Sequence, residues 1–205
     1  MAPKIKVTYF NLRGRAEPVR LLLAYGGLEY EDCRLVPGFE DPKPWMALKP
    51  KTPYGGLPLL EWNGETLAQS IAITRFVARE VGLAGRNSLE CAQADEVVDA
   101  FSDLGEAMAK AFFAKDDKEA MMKKFATETV PNGLGNLEKR LASRGGQYFA
   151  GNALTWADIM AFNFCSTLPD QSALSNFPKI KSLVDRVGAI PNIKTWVAKR
   201  PVTNL

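Results

Sequence analysis

Apolar and polar residues alternate along Ile5-Lys6-Val7-Thr8-Tyr9, the period of a half-buried strand. A strand is expected over Ile5–Phe10. The pattern then changes: Arg15-Ala16-Glu17-Pro18 leads into Val19-Arg20-Leu21-Leu22-Leu23-Ala24-Tyr25, a helix with proline in its first turn. Leu28–Leu35 reads as a second strand. Leu57–Trp62 and Glu65–Ala68 pair around Asn63-Gly64, a strong type I′ turn signal. Ser70 opens a helix to about Val81, with Ile71, Ile73, Phe76 and Val77 on its inner stripe, and is a good N-cap by residue type. Val36–Pro50 carries four prolines and reads as loop with at most a short helix near Trp45–Leu48.

Beyond Gly82-Leu83-Ala84-Gly85-Arg86-Asn87 only helical spacing remains. Leu89–Ala114 repeats apolar residues at Val97, Val98, Phe101, Leu104 and Met108. Lys118–Leu141 reads as a helix in which Pro131 and Gly133 mark a kink or break. Thr155-Trp156-Ala157-Asp158 opens another. Its hydroxyl and carboxylate can satisfy free N–H groups in a capping box, so Asp158 is read as a cap rather than a catalytic acid. Short helices follow over Ile180–Val187 and Ile193–Lys199. The order β-α-β then β-β-α is that of a thioredoxin-like domain. The expected fold is therefore an α/β N-terminal thioredoxin-like domain, residues 1–81, a linker at 82–88, and an all-α C-terminal domain, residues 89–205.

Composition narrows the chemistry. The chain has 205 residues, a net charge of +3 and no histidine. Lack of histidine removes Ser-His-Asp hydrolysis, Cys-His proteolysis and His-based zinc sites. The charge is too small, and too evenly spread, for nucleic acid. Cys33, Cys91 and Cys165 are far apart, neither a disulfide framework nor a metal cluster. The opening Met-Ala-Pro-Lys-Ile-Lys lacks the apolar core of a signal peptide. No apolar run approaches the ~20 residues needed to cross a bilayer. A cytoplasmic setting is expected, without membrane or nucleic-acid partners.

Tyr9 sits where the first strand ends and the first helix begins. Ligands of open α/β folds bind at the carboxyl ends of strands, and a helix start favours an anion. A phenolic donor there suits a thiolate.

The segment Thr8-Tyr9-Phe10-Asn11-Leu12-Arg13-Gly14-Arg15-Ala16-Glu17 resembles the start of a sigma-class cytosolic glutathione S-transferase. Pro53-Tyr54-Gly55-Gly56-Leu57-Pro58-Leu59-Leu60, Gln69-Ser70, Leu154-Thr155-Trp156-Ala157-Asp158 and Lys199-Arg200-Pro201 follow in the family's order. The resemblance runs nearly end to end and extends to glutathione-dependent prostaglandin D synthases and S-crystallins. It implies a homodimeric glutathione transferase with glutathione as co-substrate and no required metal.

A cysteinyl thiol has a pKa of about 8.5, so only roughly 3% is thiolate at pH 7. Lowering that pKa by about two units requires about 2.7 kcal/mol in favour of the anion. One hydrogen bond to a charged group supplies about 1.5–3 kcal/mol. By the resemblance Tyr9 gives that bond and Arg15 the neighbouring cation, while Arg13 is structural or exposed. Glutathione would be held by Tyr9, Trp45, Lys49, Leu57, Pro58, Gln69 and Ser70. Leu57 would pair through its backbone next to a cis Pro58, with an ordinary trans turn as the alternative. Gln69 and Ser70 would take the γ-glutamyl end. Lys49 and Trp45 would take the glycyl carboxylate, across a longer Val36–Pro44 segment. Gly56 replaces a longer side chain that could contact glutathione.

Asp95, Asp99 and Asp103 form a stripe, by itself a solvated acidic face. By the resemblance Asp103 reaches the glutathione ammonium of the other subunit. Ser102 stands where the prostaglandin synthases have an acid used for a divalent ion, hence the expectation of no metal. The electrophile pocket is expected between the domains, walled by Phe10, Ala107, Lys110 and the C-terminal segment. Lys110 replaces a tryptophan of the prostaglandin synthases, which favours conjugation of small hydrophobic electrophiles, with peroxide reduction as a further activity. A prostaglandin D synthase-type isomerase and a non-catalytic, crystallin-like or ligand-binding protein are the alternatives. A thioredoxin-type redox enzyme is discounted, because no cysteine lies between Met1 and Asp32.

Overall fold

The structure, a computed structural model, describes residues 2–168 and 170–203; Met1, Pro169, Asn204 and Leu205 lie outside it. In chain order the strands are β1 (Ile5–Phe10), β2 (Glu31–Leu35), β3 (Leu59–Trp62) and β4 (Glu65–Ala68). The helices are α1 (Glu17–Tyr25), α2 (Pro42–Leu48), α3 (Ser70–Glu80), α4 (Ser88–Phe112), α5 (Lys118–Lys124), α6 (Val130–Ser143), α7 (Trp156–Cys165), α8 (Pro178–Gly188) and α9 (Pro191–Lys199). Two units form: residues 1–82 with 190–205, and residues 83–189.

In the first unit the sheet order is β2-β1-β3-β4. β1 runs parallel to β2 and antiparallel to β3, and β3 and β4 form the expected hairpin. Asn63 (φ 53°) and Gly64 (φ 92°) supply the two positive φ angles of its turn, as a type I′ geometry requires. β1 buries Ile5, Val7 and Tyr9 as the alternation predicts, and Thr8 between them as well. α1 is buried along its first seven residues, charged Glu17 and Arg20 included. It packs on α3 and on α9.

α9 therefore belongs with the first unit, although sequence order groups it with the helical domain. The reason is chemical: Trp196 and Arg200 both donate to the buried Glu17 carboxylate of α1. α2 is longer than the short helix expected from the prolines. Asp41 caps it by accepting the Lys43 N–H, and Pro42 and Pro44 occupy the first turn, where a missing N–H costs nothing. β2 begins at Glu31 rather than Leu28, and β3 at Leu59 rather than Leu57.

In the second unit α7 is buried along nearly its whole length and packs on α4 and α8. The Thr155–Asp158 capping box is present. Asp158 accepts the Thr155 N–H at 2.7 Å and the Phe149 N–H at 3.0 Å. The expected Lys118–Leu141 helix is interrupted, as Pro131 suggested, but by a widened π turn at Phe125–Thr129. A proline ring clashes with the carbonyl four residues back, here that of Thr127, and the wide turn accommodates it. A 3-10 turn over Gln171–Asn176 was not foreseen. Arg140 and Arg144 on α6 and just beyond it both reach Glu96 of α4.

Candidate active site

Three chain segments meet at one edge of the first unit's sheet. The register joins Thr8 to Leu59 and Leu59 to Ala68. Tyr9, Pro58 and Gln69 each lie one residue beyond that row. Residues far apart in the chain are thus brought to one line at the carboxyl ends of β1 and β4, where a ligand of such a sheet would sit.

Tyr9 is 8% exposed. Its phenolic oxygen accepts the Arg15 backbone N–H at 3.2 Å. An oxygen that accepts from the main chain keeps its own O–H proton as a donor. The turn Gly14–Ala16 that makes this contact is a 3-10 turn ahead of α1. Gly14 has φ +40°, and a Cβ there would lie 2.8 Å from the Tyr9 oxygen. Only glycine lets the turn close over the phenol. Arg15 therefore meets Tyr9 through its main chain, while its residue is exposed.

The Tyr9 ring meets Phe10 edge-on at 5.6 Å, and Phe10 meets Trp45 edge-on at 5.7 Å. Trp45 is half-buried on α2. Lys49 starts the 3-10 turn that follows α2 and is exposed. Its carbonyl is held by the Thr52 hydroxyl at 2.8 Å, and its Cε lies 3.6 Å from where a Gly55 Cβ would stand. The Leu57–Pro58 bond is cis. Gln69 precedes α3 with φ +73°, a conformation a non-glycine side chain adopts at a cost of order 1–3 kcal/mol and one that clusters at ligand clamps. Ser70 is the first helical residue, not the N-cap expected; Gln69 occupies that position and its side chain does not cap the helix. The first-turn N–H groups of α3, which have no partner within the helix, thus receive no cap from the Gln69 side chain.

Behind the site lies a charge cluster that sequence reasoning missed. Arg20, fully buried, donates to Asp32 at 3.0 Å and to the Leu12 carbonyl at 2.7 Å. Asp32 also accepts from Arg34 at 2.7 Å. Glu17 accepts from Trp196 and Arg200, each at 2.8 Å. The one available signal was an arginine set within the apolar run Val19-Arg20-Leu21-Leu22-Leu23, since a buried charge must find partners. Arg13 is pulled below the ordinary arginine range by burial and then by the nearby Arg200 cation.

Asp103, Ala107 and Lys110 stand on one stripe of α4, in the second unit. Asp103 and Lys110 are exposed and Ala107 is half-buried. Asp103 lines a groove of about 640 Å³ between α4 and α6, together with Glu96, Leu104, Gly133 and Arg140. The C-terminal segment expected to wall the electrophile pocket ends in Asn204-Leu205, outside the described residues. Burial pushes the Cys165 thiol up to about 12, which leaves it inert as a nucleophile. Among the described residues no group of three or more Cys, Asp or Glu side chains could hold a metal ion. No helix among them is long and apolar enough to cross a membrane.

Residues 5–79 match the family "Glutathione S-transferase, N-terminal domain", and residues 102–200 match "Glutathione S-transferase, C-terminal domain". The chain is 42% identical over 210 residues to "Glutathione S-transferase 1" of Ascaris suum, covering 98% of each. It is 41% identical over 204 residues to "Hematopoietic prostaglandin D synthase" of Gallus gallus, again covering 98% of each. The crystal structure of the glutathione S-transferase from Ascaris lumbricoides superposes with a TM-score of 0.87 at 40% identity, covering 98% of this chain and 100% of that one. With a thioredoxin-like four-stranded sheet followed by helices, and such likeness over its full length, the chain belongs to the glutathione S-transferases, in the sigma-like class related to hematopoietic prostaglandin D synthase, an enzyme family that takes glutathione as co-substrate.

Proposed function

We propose that this chain activates the glutathione thiol through Tyr9 and transfers the thiolate to small hydrophobic electrophiles. The observation that carries this reading is the Arg15 N–H on the Tyr9 oxygen. It holds the phenolic oxygen and leaves its proton available to an incoming sulfur, and by drawing electron density it strengthens that donor. Glutathione would lie along the sheet edge. Its cysteinyl backbone would pair with Leu57, its γ-glutamyl carboxylate would meet Gln69, Ser70 and the start of α3, and its glycyl carboxylate would meet Lys49 and Trp45. The first turn of α3, uncapped by the Gln69 side chain, and the φ of Gln69 support the γ-glutamyl assignment.

In conjugation the thiolate pair forms a C–S bond, and the leaving group departs with the pair of the bond it breaks. With a hydroperoxide the sulfur takes the terminal oxygen and an alcohol leaves once protonated. A second glutathione then releases water and the disulfide. The Arg15 guanidinium, charged at every relevant pH, would favour the anion throughout. Phe10, Ala107 and Lys110 would contact the electrophile.

Two copies of the chain would act together, with Asp103 of one meeting the glutathione ammonium of the other, in the cytoplasm. The three free cysteines suit such a reducing compartment. No metal takes part in this scheme.

Tyr9→Phe tests the reading. Glutathione should still bind, while the bound thiol's pKa, followed by thiolate ultraviolet absorbance, rises by about one to two units. An unchanged titration would remove Tyr9 from the chemistry. A second reading, isomerisation of a prostaglandin endoperoxide, draws on the likeness to the Gallus gallus enzyme. A panel of a model aryl halide, a lipid hydroperoxide and prostaglandin H₂ separates the two.

A further inference from the structure

We propose that Arg20 is a positioning residue for the Tyr9 hydroxyl, and that Trp196 and Arg200, from the other end of the chain, set it through Glu17. The inference rests on Tyr9 being the thiol's donor. α1 is apolar all round except for two fully buried charges, Glu17 and Arg20. Charges so placed give little net stability over apolar residues of similar size, so packing alone does not account for them.

Arg20 touches both parts of the phenol's setting. Its guanidinium carbon lies 6.0 Å from the Tyr9 ring centroid. Its Nη1 donates to the Leu12 carbonyl at 2.7 Å, within the loop that carries Gly14 and Arg15 back over the phenolic oxygen. That loop is pinned again where the Leu12 N–H meets the Phe10 carbonyl at 2.7 Å and the Glu17 N–H meets the Arg13 carbonyl at 3.0 Å. Asp32 holds Arg20 from the β2 side through Nε, with Arg34 on its other oxygen.

Glu17 links this to α9. Its Oε2 lies 3.5 Å from Arg20 Nη1 and makes no hydrogen bond of its own. Its Oε1 is fixed by the Trp196 indole and the Arg200 guanidinium. With those two donors gone, Glu17 would turn toward Arg20 and draw Nη1 from the Leu12 carbonyl. The loop, the Arg15 N–H and the phenolic oxygen would then move together. Catalytic groups tolerate only about 0.5 Å of such displacement.

Arg200→Met and Trp196→Phe keep apolar bulk while removing one donor each. The Arg200 side chain is only 13% exposed, so methionine is chosen to fill most of the buried space it would vacate. Each variant should raise the pKa of bound glutathione by about half a unit, roughly a threefold loss of thiolate below that pKa, with KM for glutathione unchanged. Arg200→Lys, which keeps a charged donor, should recover the shift. In a Tyr9→Phe background Arg200→Met should add nothing. If Tyr9→Phe moves the thiol pKa and neither Arg200→Met nor Trp196→Phe does, the positioning inference is wrong and the role of Tyr9 stands. Should Tyr9→Phe itself move nothing, both fall. A loss of turnover that persists equally without the Tyr9 hydroxyl, or that comes only with unfolding, likewise overturns the inference.

Discussion

Gly14 and the Tyr9 hydroxyl lie in direct contact: a Cβ on Gly14 would stand 2.8 Å from the phenolic oxygen and 3.0 Å from the ring. The turn must also hold φ at +40° there, where L side chains are strained. Gly14→Ala should therefore lower turnover through displacement of the phenol, and lower stability by about 1–2 kcal/mol through the backbone. Gly82, at φ +74° with open space around it, separates the two effects. Gly82→Ala should lose similar stability and keep full kcat/KM. Thermal melting and aryl-halide kinetics on both variants read the difference, and equal activity losses would disprove the contact argument.

Asp158 gives a stability prediction with a definite sign. Burial pushes its carboxyl up to about 6, against the pull of the Phe149 and Thr155 N–H groups. The folded chain thus holds this proton more tightly than the unfolded chain. The stability owed to the neutral acid is complete below about pH 4 and is lost as pH rises through about 6. Wild type should lose up to about 3 kcal/mol over that window relative to Asp158→Asn, read from urea midpoints at several pH values. Asp158→Asn should also lower stability by about 1–3 kcal/mol overall, since the amide leaves one of the two N–H groups without an acceptor. A flat difference between the two proteins from pH 4 to 7 would contradict the assignment.

Gly133 lets α6 approach α4. A Cβ there would fall 2.5 Å from one Leu104 methyl and 2.9 Å from the other. Gly133→Ala should lower stability by about 1–3 kcal/mol through overpacking, and Leu104→Ala by about 2–5 kcal/mol through the cavity it leaves. Combined, they should cost clearly less than their sum, because each relieves the other. Simple additivity in chemical denaturation would show that the two residues do not touch.

Asp103 tests the shared-site proposal. Asp103→Ala should weaken glutathione binding up to about fivefold, the loss of one exposed charge pair of about 1 kcal/mol. Sedimentation should still report a dimer. Unaltered affinity in calorimetry would take Asp103 out of the site, and a fully active monomer would end the shared-site scheme.

Local order was legible in the residues. The strand at Ile5–Phe10, the Asn63-Gly64 turn and the Thr155–Asp158 cap all appear in the structure. Each acts within a few residues, through strand period, backbone φ or capping. The Val36–Pro50 segment misled, because a proline breaks a helix interior but suits its first turn, and only the Asp41 cap reveals which applies. Ser70 misled similarly: residue type makes it a cap, yet the backbone of Gln69 at φ +73° starts the helix one residue earlier.

By itself the chain determined that a phenol stands at the end of a strand and ahead of a helix, and that its motifs are those of a glutathione transferase. The tertiary structure alone decided that Tyr9, Pro58 and Gln69 fall on one sheet edge, because strand order and register depend on pairings between distant segments. It alone joined Glu17 to Trp196 and Arg200 across 179 and 183 residues. Buried charges seek whichever partners the packing brings near, and that choice has no period or local spacing to be read in advance.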